Sequence, residues 1–145
     1  MNSIEILDFT IGDLNKIKDI LLTDFDDFWN YNILKSEIEN PRSRYIVAKQ
    51  NKEILGFAGI IDTYDQMEIT NIVVRKDYRN QGIGNLLLKE LINLSKDKNV
   101  IYLEVNSKNI NAIKLYEKNG FKKCGLRKKY YNNTDDAILM ELKLK

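Results

Sequence analysis

The residues with the clearest chemical potential are the six of Arg79-Asn80-Gln81-Gly82-Ile83-Gly84. Gly82 and Gly84 carry no side chain that would hold a ligand away from the backbone, and the apolar spacing from Ile83 onward predicts a helix directly behind them. A helix start offers unpaired N–H groups and the positive end of the peptide dipole, so the segment suits an anion such as a pyrophosphate. A plain tight turn into a helix would use the same residues, and the short pattern RxxGxG leaves that alternative open. Two other phosphate-binding loops do not fit. The lysine and Ser/Thr of a P-loop are missing after Gly84, and a dinucleotide fingerprint needs a third glycine within alternating parallel units.

What is missing narrows the chemistry further. The chain has no histidine and one cysteine, Cys124. An internal disulfide, a cysteine zinc cluster and every serine or cysteine mechanism with a histidine base are excluded, and no metal site is expected. The 23 basic and 21 acidic residues among 145 leave a formal charge of +2. They are spread along the chain, so neither nucleic acid nor an anionic membrane is an expected partner. Apolar runs such as Ile54 to Ile61 are far shorter than the ~20 residues of a membrane helix. The opening MNSIEILDFT places acidic residues among its apolar ones without a basic head, so no signal peptide is read and a cytoplasmic location is expected.

The elements that must position the loop follow from periodicity. Residues 1–145 read as one domain with no linker or repeat, and the only proline is Pro41. A short strand is expected at Ile4 to Leu7, then a helix capped by Thr10 or Asp13 that carries Leu14, Ile17, Ile20 and Leu21. A second helix covers Ile33 to Glu39. Tyr45 to Ala48 and Ile54 to Ile61 form a hairpin, and Gln66 to Val74 the next strand. An amphipathic helix runs from Gly82 to Lys96 and a strand from Val100 to Val105. A last helix from Asn109 to Lys118 ends at Asn119 and Gly120, before strands near Phe121 to Leu126 and Ala137 to Leu142.

Strand Asn71-Ile72-Val73-Val74, then Tyr78 and RxxGxG, together resemble the acetyl-coenzyme A motif of the GNAT (Gcn5-related) N-acetyltransferases. The run LEVNSKNINAIKLYEKNGF from Leu103 to Phe121, with YYNNTDDAILM near the C-terminus, is similar to the second half of that family. It resembles especially the RimI branch, which acetylates the N-terminal alanine of a small-subunit ribosomal protein. The resemblance implies an α/β (α+β) fold: a central mixed, mostly antiparallel twisted sheet of about seven strands flanked by about four helices. It also implies acetyl-coenzyme A as co-substrate. Main-chain groups of Ile72 and Val74 would meet the thioester and pantetheine, and an N–H near Val73 or Val74 the developing oxyanion. Arg79, Asn80, Gln81, Gly82, Ile83, Gly84 and Asn85 would wrap the phosphates. Asn109 would contact the coenzyme, cap its helix, or both. Many relatives carry proline where this chain has Lys76.

The reaction explains the remaining residue types. A protein α-amine, with a pKa of about 7.7–8.0, is mostly protonated at neutral pH and must lose a proton before it attacks a thioester. With no histidine, Glu104 at a strand end is the candidate base, directly or through a water, and RimI-like enzymes resemble it in placing their base there. Tyr116 matches the position of the general acid that protonates the leaving thiolate. A surface carboxylate and a half-buried core tyrosine are the plain structural alternatives for these two residues. Cys124 lacks a base, so direct transfer in a ternary complex is expected. The expected acceptor walls carry Trp29 and Tyr31, beside Phe25 and Phe28, and Tyr130 and Tyr131. Phe28-Trp29 replaces the usual Pro-Trp pair, and the 131–137 stretch is shorter than in relatives. The expected acceptor is a protein N-terminus and the expected state a monomer or weak dimer. A small-amine acetyltransferase and a non-catalytic acyl-coenzyme A-binding module stay open as alternatives.

Overall fold

The computed structural model describes residues 3–25, 30–131 and 134–145. Its strands are β1 (Glu5–Asp8), β2 (Ser43–Gln50), β3 (Glu53–Asp62), β4 (Gln66–Val74), β5 (Val100–Asn106), β6 (Lys122–Tyr131) and β7 (Asp135–Lys143). Its helices are α1 (Ile11–Ile17), α2 (Leu21–Asp24), α3 (Tyr31–Glu39), α4 (Ile83–Leu94) and α5 (Ile110–Lys118). The strands form one seven-stranded sheet in the order β1-β2-β3-β4-β5-β7-β6. Every neighbouring pair is antiparallel except β4 and β5. The mixed, mostly antiparallel sheet expected from the sequence is therefore present.

The helix read through Leu14, Ile17, Ile20 and Leu21 is broken rather than continuous. A 3₁₀ turn, Lys18–Ile20, joins α1 to α2, with ψ of 6° at both Ile17 and Ile20. Leu14, Ile17, Leu21 and Phe25 still share one buried cluster, because their spacing keeps them on one face whether or not the helix tightens between them. Counting α1 and α2 as one broken helix, four helical units flank the sheet. The start of α1 is fixed as its sequence suggests. Thr10 Oγ1 accepts from Asp13 N at 3.0 Å and Asp13 Oδ2 accepts from Thr10 N at 3.1 Å, a reciprocal capping box. Asp13 also receives Lys49 Nζ at 2.7 Å, which ties α1 to β2.

Alternation along the strands divides the core between the two faces of the sheet. One face packs Ile83, Leu87, Leu88 and Leu91 of α4 and Tyr116 of α5 on Ile69, Ile101, Leu103 and Val105. The other packs Leu14, Ile17, Leu21, Phe25 and Leu34 on Tyr45, Val47, Phe57 and Val73. Each fully buried Leu or Phe contributes roughly 2 kcal/mol of transfer free energy, so both layers are needed to hold the sheet. The β2–β3 hairpin turns through Asn51 (φ 55°) and Lys52 (φ 68°), the two left-handed residues of a tight turn matched to strand twist.

Candidate active site

The glycine loop stands at the start of α4, where the sequence places it. Gly82 caps α4 with φ 85° and ψ 4°, a left-handed conformation that favours glycine. The first bond of the helix runs from Leu86 N to Gly82 O at 3.1 Å. The N–H groups of Ile83, Gly84 and Asn85 therefore lie in the first turn, where no helical carbonyl stands one turn back. A Cβ built on Gly82 would meet nothing within 4 Å, whereas one on Gly84 would come 3.4 Å from Leu115 Cδ2 and 3.8 Å from Val74 Cγ2. The backbone is bare on its outer side and close to its neighbours on the inner side.

In front of this helix end opens a cleft of about 410 Å³. Its lining unites Ile72 and Val74 of β4 with Arg79, Asn80, Gly82, Ile83, Gly84 and Asn85 of the loop, and with Asn109 and Tyr116 of α5. Ten of the expected coenzyme and catalytic residues thus converge from three separate segments. Asn109 Oδ1 also accepts from Ala112 N at 3.2 Å, so the residue caps α5 as well as facing the cleft. Tyr116 is 8% exposed and packs edge-on to Phe121 with ring centroids 5.8 Å apart. Two of the expected coenzyme-binding residues do not line the cleft. Val73 turns its side chain into the core on the opposite face, as strand alternation between Ile72 and Val74 requires, and Gln81 is exposed. Backbone amides at the helix start, asparagine side chains, Arg79 and Lys118, with apolar Leu115 and Ile72 between them, fit a long anionic carrier with an amide-bearing arm.

Glu104 stands on the other face. Leu103 and Val105 enter the core under α4 and α5, so the intervening Glu104 points the opposite way, toward the α1–α3 side. Between the two faces the sheet opens. β4 and β5 pair only at Gln66–Val100, Met67–Ile101 and Glu68–Tyr102, although β4 continues to Val74 and β5 to Asn106. Glu104 and Tyr116 therefore sit on opposite faces beside the same parting of strands.

Several residues that the sequence reading did not single out complete the surroundings. Glu68 of β4 is charge-coupled to Glu104. Partial desolvation of its carboxyl raises the pKa, although the residue keeps exposed surface; the Glu104 charge adds to the shift, and Arg127 partly offsets it. Arg127 Nη2 lies 3.3 Å from Glu104 Oε1 and stacks its guanidinium 5.4 Å from the Tyr130 ring centroid. The Asn71 carboxamide is buried. It lies beside Tyr45, whose hydroxyl contacts Thr70 Oγ1 at 2.9 Å and whose pKa burial raises to about 12. Asn119 Nδ2 bonds both Asn85 Oδ1 and Leu115 O at 2.9 Å, joining the end of α5 to the first turn of α4. Periodicity gives no signal for these residues, because each depends on cross-strand register or on a contact between distant segments.

On the expected acceptor side, Tyr31 donates to Asn15 Oδ1 at 2.7 Å and lies under Lys18 at 4.5 Å, so it is engaged with α1 and the turn after it. Tyr130 is 52% exposed. Tyr131 pairs through its backbone with Asp135. Trp29 and Phe28, and the side chain of Tyr131, lie outside the described residues. Among the described residues no group of acidic or cysteine side chains could hold a metal ion, and no helix is long and apolar enough to cross a membrane.

Known proteins resemble this chain in sequence and in fold. The profile described as "Acetyltransferase (GNAT) family" matches residues 14–121. The "[Ribosomal protein bS18]-alanine N-acetyltransferase" of Escherichia coli (strain K12) is 37% identical over 115 residues, covering 74% of this chain and 78% of that protein. The "N-alpha-acetyltransferase RimI" of Mycobacterium tuberculosis is 34% identical over 110 residues, covering 73% of this chain and 69% of that protein. The crystal structure of the ribosomal-protein-S18-alanine N-acetyltransferase from Escherichia coli superposes with a TM-score of 0.87 at 30% identity, over 100% of this chain and 95% of that one.

Proposed function

The chain belongs to the GNAT acetyltransferase family and is an acetyl-coenzyme A-dependent N-acetyltransferase, and we propose that its acceptor is the N-terminal alanine of a ribosomal protein, acetylated in the cytoplasm. The reading is carried by one observation: Glu104 and the Tyr116 cleft flank the opened β4–β5 pair from opposite faces. A carrier held on one face and an amine approaching from the other meet in the gap.

Each residue then has a role. The amides of Ile83, Gly84 and Asn85, with Asn80 and Arg79, hold the phosphates at the positive end of α4. Exposed edges of β4 at Ile72 and Val74 hydrogen-bond the amide-bearing arm, and a main-chain N–H at Val73 or Val74 faces the carbonyl oxygen as charge develops. Bound acetyl-coenzyme A supplies an activated acetyl thioester. Glu104 accepts a proton from the incoming ammonium, directly or through a water, and the amine attacks without a covalent enzyme intermediate. Tyr116 donates its phenolic proton toward the departing sulfur. The ammonium of the acceptor also replaces Arg127 as the cation beside Glu104, so arrival of substrate exchanges one ion pair for another. Glu68 adds a second carboxylate on that face and strengthens the preference for a cationic acceptor end.

The test is turnover with acetyl-coenzyme A across peptides that differ only in their first residue, read by mass spectrometry with fragment localisation of the acetyl group. Acetylation of the α-amine of alanine-first peptides is expected. Modification of lysine side chains or of free polyamines alone would overturn the acceptor assignment, and coenzyme binding without any turnover would overturn the catalytic one.

A further inference from the structure

Arg75 sits between the last residue of β4 and the 3₁₀ turn Lys76–Tyr78 that feeds the anion loop. Its guanidinium is 19% exposed and holds two carboxylates: Nη1 lies 2.6 Å from Glu53 Oε1 and Nη2 lies 3.0 Å from Asp24 Oδ2. The second oxygen of Glu53 accepts from the Tyr78 hydroxyl at 3.2 Å. The backbone of the same residue is engaged on both sides, with Arg75 N bonded to Leu55 O at 2.8 Å and Tyr78 N to Arg75 O at 2.9 Å. Arg79 Nε returns to Val74 O at 2.9 Å. The corner from residue 74 to 79 is thus pinned to the start of β3 and to the end of α2.

Tyr78 lines the coenzyme cleft, and Asp24 ends the α2 helix of the opposite face. This chain has Lys76 where a proline would stiffen the turn, and the ionic cluster supplies the constraint instead. Arginine suits that task because its planar fork can meet two carboxylates at once, whereas an ammonium is a point charge. Both acids would face each other without a counter-ion if the guanidinium were removed, and the turn between them would relax. The Tyr78 hydroxyl donates to the Glu53 carboxylate, which raises its pKa above the usual tyrosine value.

We propose that Arg75 is a positioning residue for coenzyme binding: by clamping the 76–78 turn between Glu53 and Asp24 it sets where Tyr78 and the loop amides stand. The inference rests on the cleft being the coenzyme site, and the experiment separates the two ideas. Coenzyme A is titrated calorimetrically into the wild-type chain and into Arg75→Met, Arg75→Lys and Glu53→Gln, and steady-state constants are measured with acetyl-coenzyme A and an alanine-first peptide. Wild-type binding is expected. Arg75→Met should weaken coenzyme A and raise the KM for acetyl-coenzyme A by about tenfold, which is ~1.4 kcal/mol, while kcat at saturation changes less than twofold. Arg75→Lys should recover only part of the loss, and Glu53→Gln, at a more exposed position, should reproduce a smaller effect in the same constant. If coenzyme A fails to bind the wild type, the coenzyme reading of the cleft falls. If the wild type binds and Arg75→Met and Glu53→Gln both bind equally well, or lose kcat rather than affinity, the positioning role falls. Should Arg75→Met not fold, Arg75→Lys and Glu53→Gln decide the matter through the same two constants.

Discussion

The two glycines at the start of α4 should respond to the same substitution in opposite ways. Gly82 has φ 85°, and open space surrounds the position where a Cβ would stand. Alanine there fits sterically but is strained, because the left-handed region costs an L-residue ~1–2 kcal/mol. Lower entropy of the unfolded chain returns ~0.4–1 kcal/mol, so the net loss is about 1 kcal/mol. Gly84 is helical, and its added methyl would touch Leu115 and Val74 at ordinary distances of 3.4 and 3.8 Å. Alanine there should gain about 0.5 kcal/mol from helix propensity. The two variants should therefore differ by about 1.5 kcal/mol, or roughly 3–6 °C in midpoint temperature for a chain of this size. Urea unfolding monitored through the far-ultraviolet signal measures the gap. Calorimetric titration with coenzyme A adds the functional half: the new methyl of Gly82→Ala enters the open space before the helix amides, and affinity should fall about fivefold, ~1 kcal/mol. Equal stabilities, or a Gly84→Ala variant less stable than Gly82→Ala, would refute the assignment of strain to one glycine and accommodation to the other.

Other consequences are as direct. Glu104→Gln should lower kcat by about 10²–10⁴-fold, the usual contribution of a positioned base, with coenzyme A affinity unchanged by calorimetry; retained turnover would remove Glu104 from proton transfer. Tyr116→Phe keeps the ring packed on Phe121 and should reduce kcat by about 10²-fold or more with little change in the unfolding midpoint. Gly59→Ala would drive a methyl into the Tyr45 ring, disturbing the Tyr45–Thr70 contact, and should cost about 2–3 kcal/mol in urea unfolding. Asp13 is opposed by burial, which raises its pKa, but its hydrogen bonds from Lys49 and Thr10 win and hold it below the usual carboxylate value. A depressed folded pKa stabilises above the unfolded pKa and is lost as pH falls through the folded one. Asp13→Asn should thus be about 1–2 kcal/mol less stable near pH 7, and the difference from wild type should shrink below about pH 4.

Much of the molecule could be read from residue order. Thr10 with Asp13, the Gly82 cap and the Asn119-Gly120 helix end each carry local chemistry that survives into the fold, because a cap is decided by its own few residues. Longer β6 and β7 strands than expected reflect cross-strand pairing, from Lys122 with Glu141 to Tyr131 with Asp135, which extends strands beyond their apolar segments. The broken α1–α2 helix was hidden because Leu14, Ile17 and Leu21 satisfy a continuous period equally well. Among the residues that line the cleft, the glycine loop, Ile72, Val74, Asn109 and Tyr116 were legible through the motif. Glu68, Arg127 and the Arg75 cluster were not, since 22 residues separate Arg75 from Glu53 and 51 separate it from Asp24. Their meeting is a product of topology.

The short ladder between β4 and β5 has a thermodynamic consequence. Past Glu68 and Tyr102 the facing borders of the two strands stop pairing with each other, with Val74 O met by Arg79 Nε instead. A molecule that lends its own amides to those borders mends the sheet, so occupancy and folding share one free energy. At a hundred times its dissociation constant such a ligand adds about 2.7 kcal/mol to the free energy of unfolding. The durability of this chain in a cell would then rise and fall with the supply of its acyl donor.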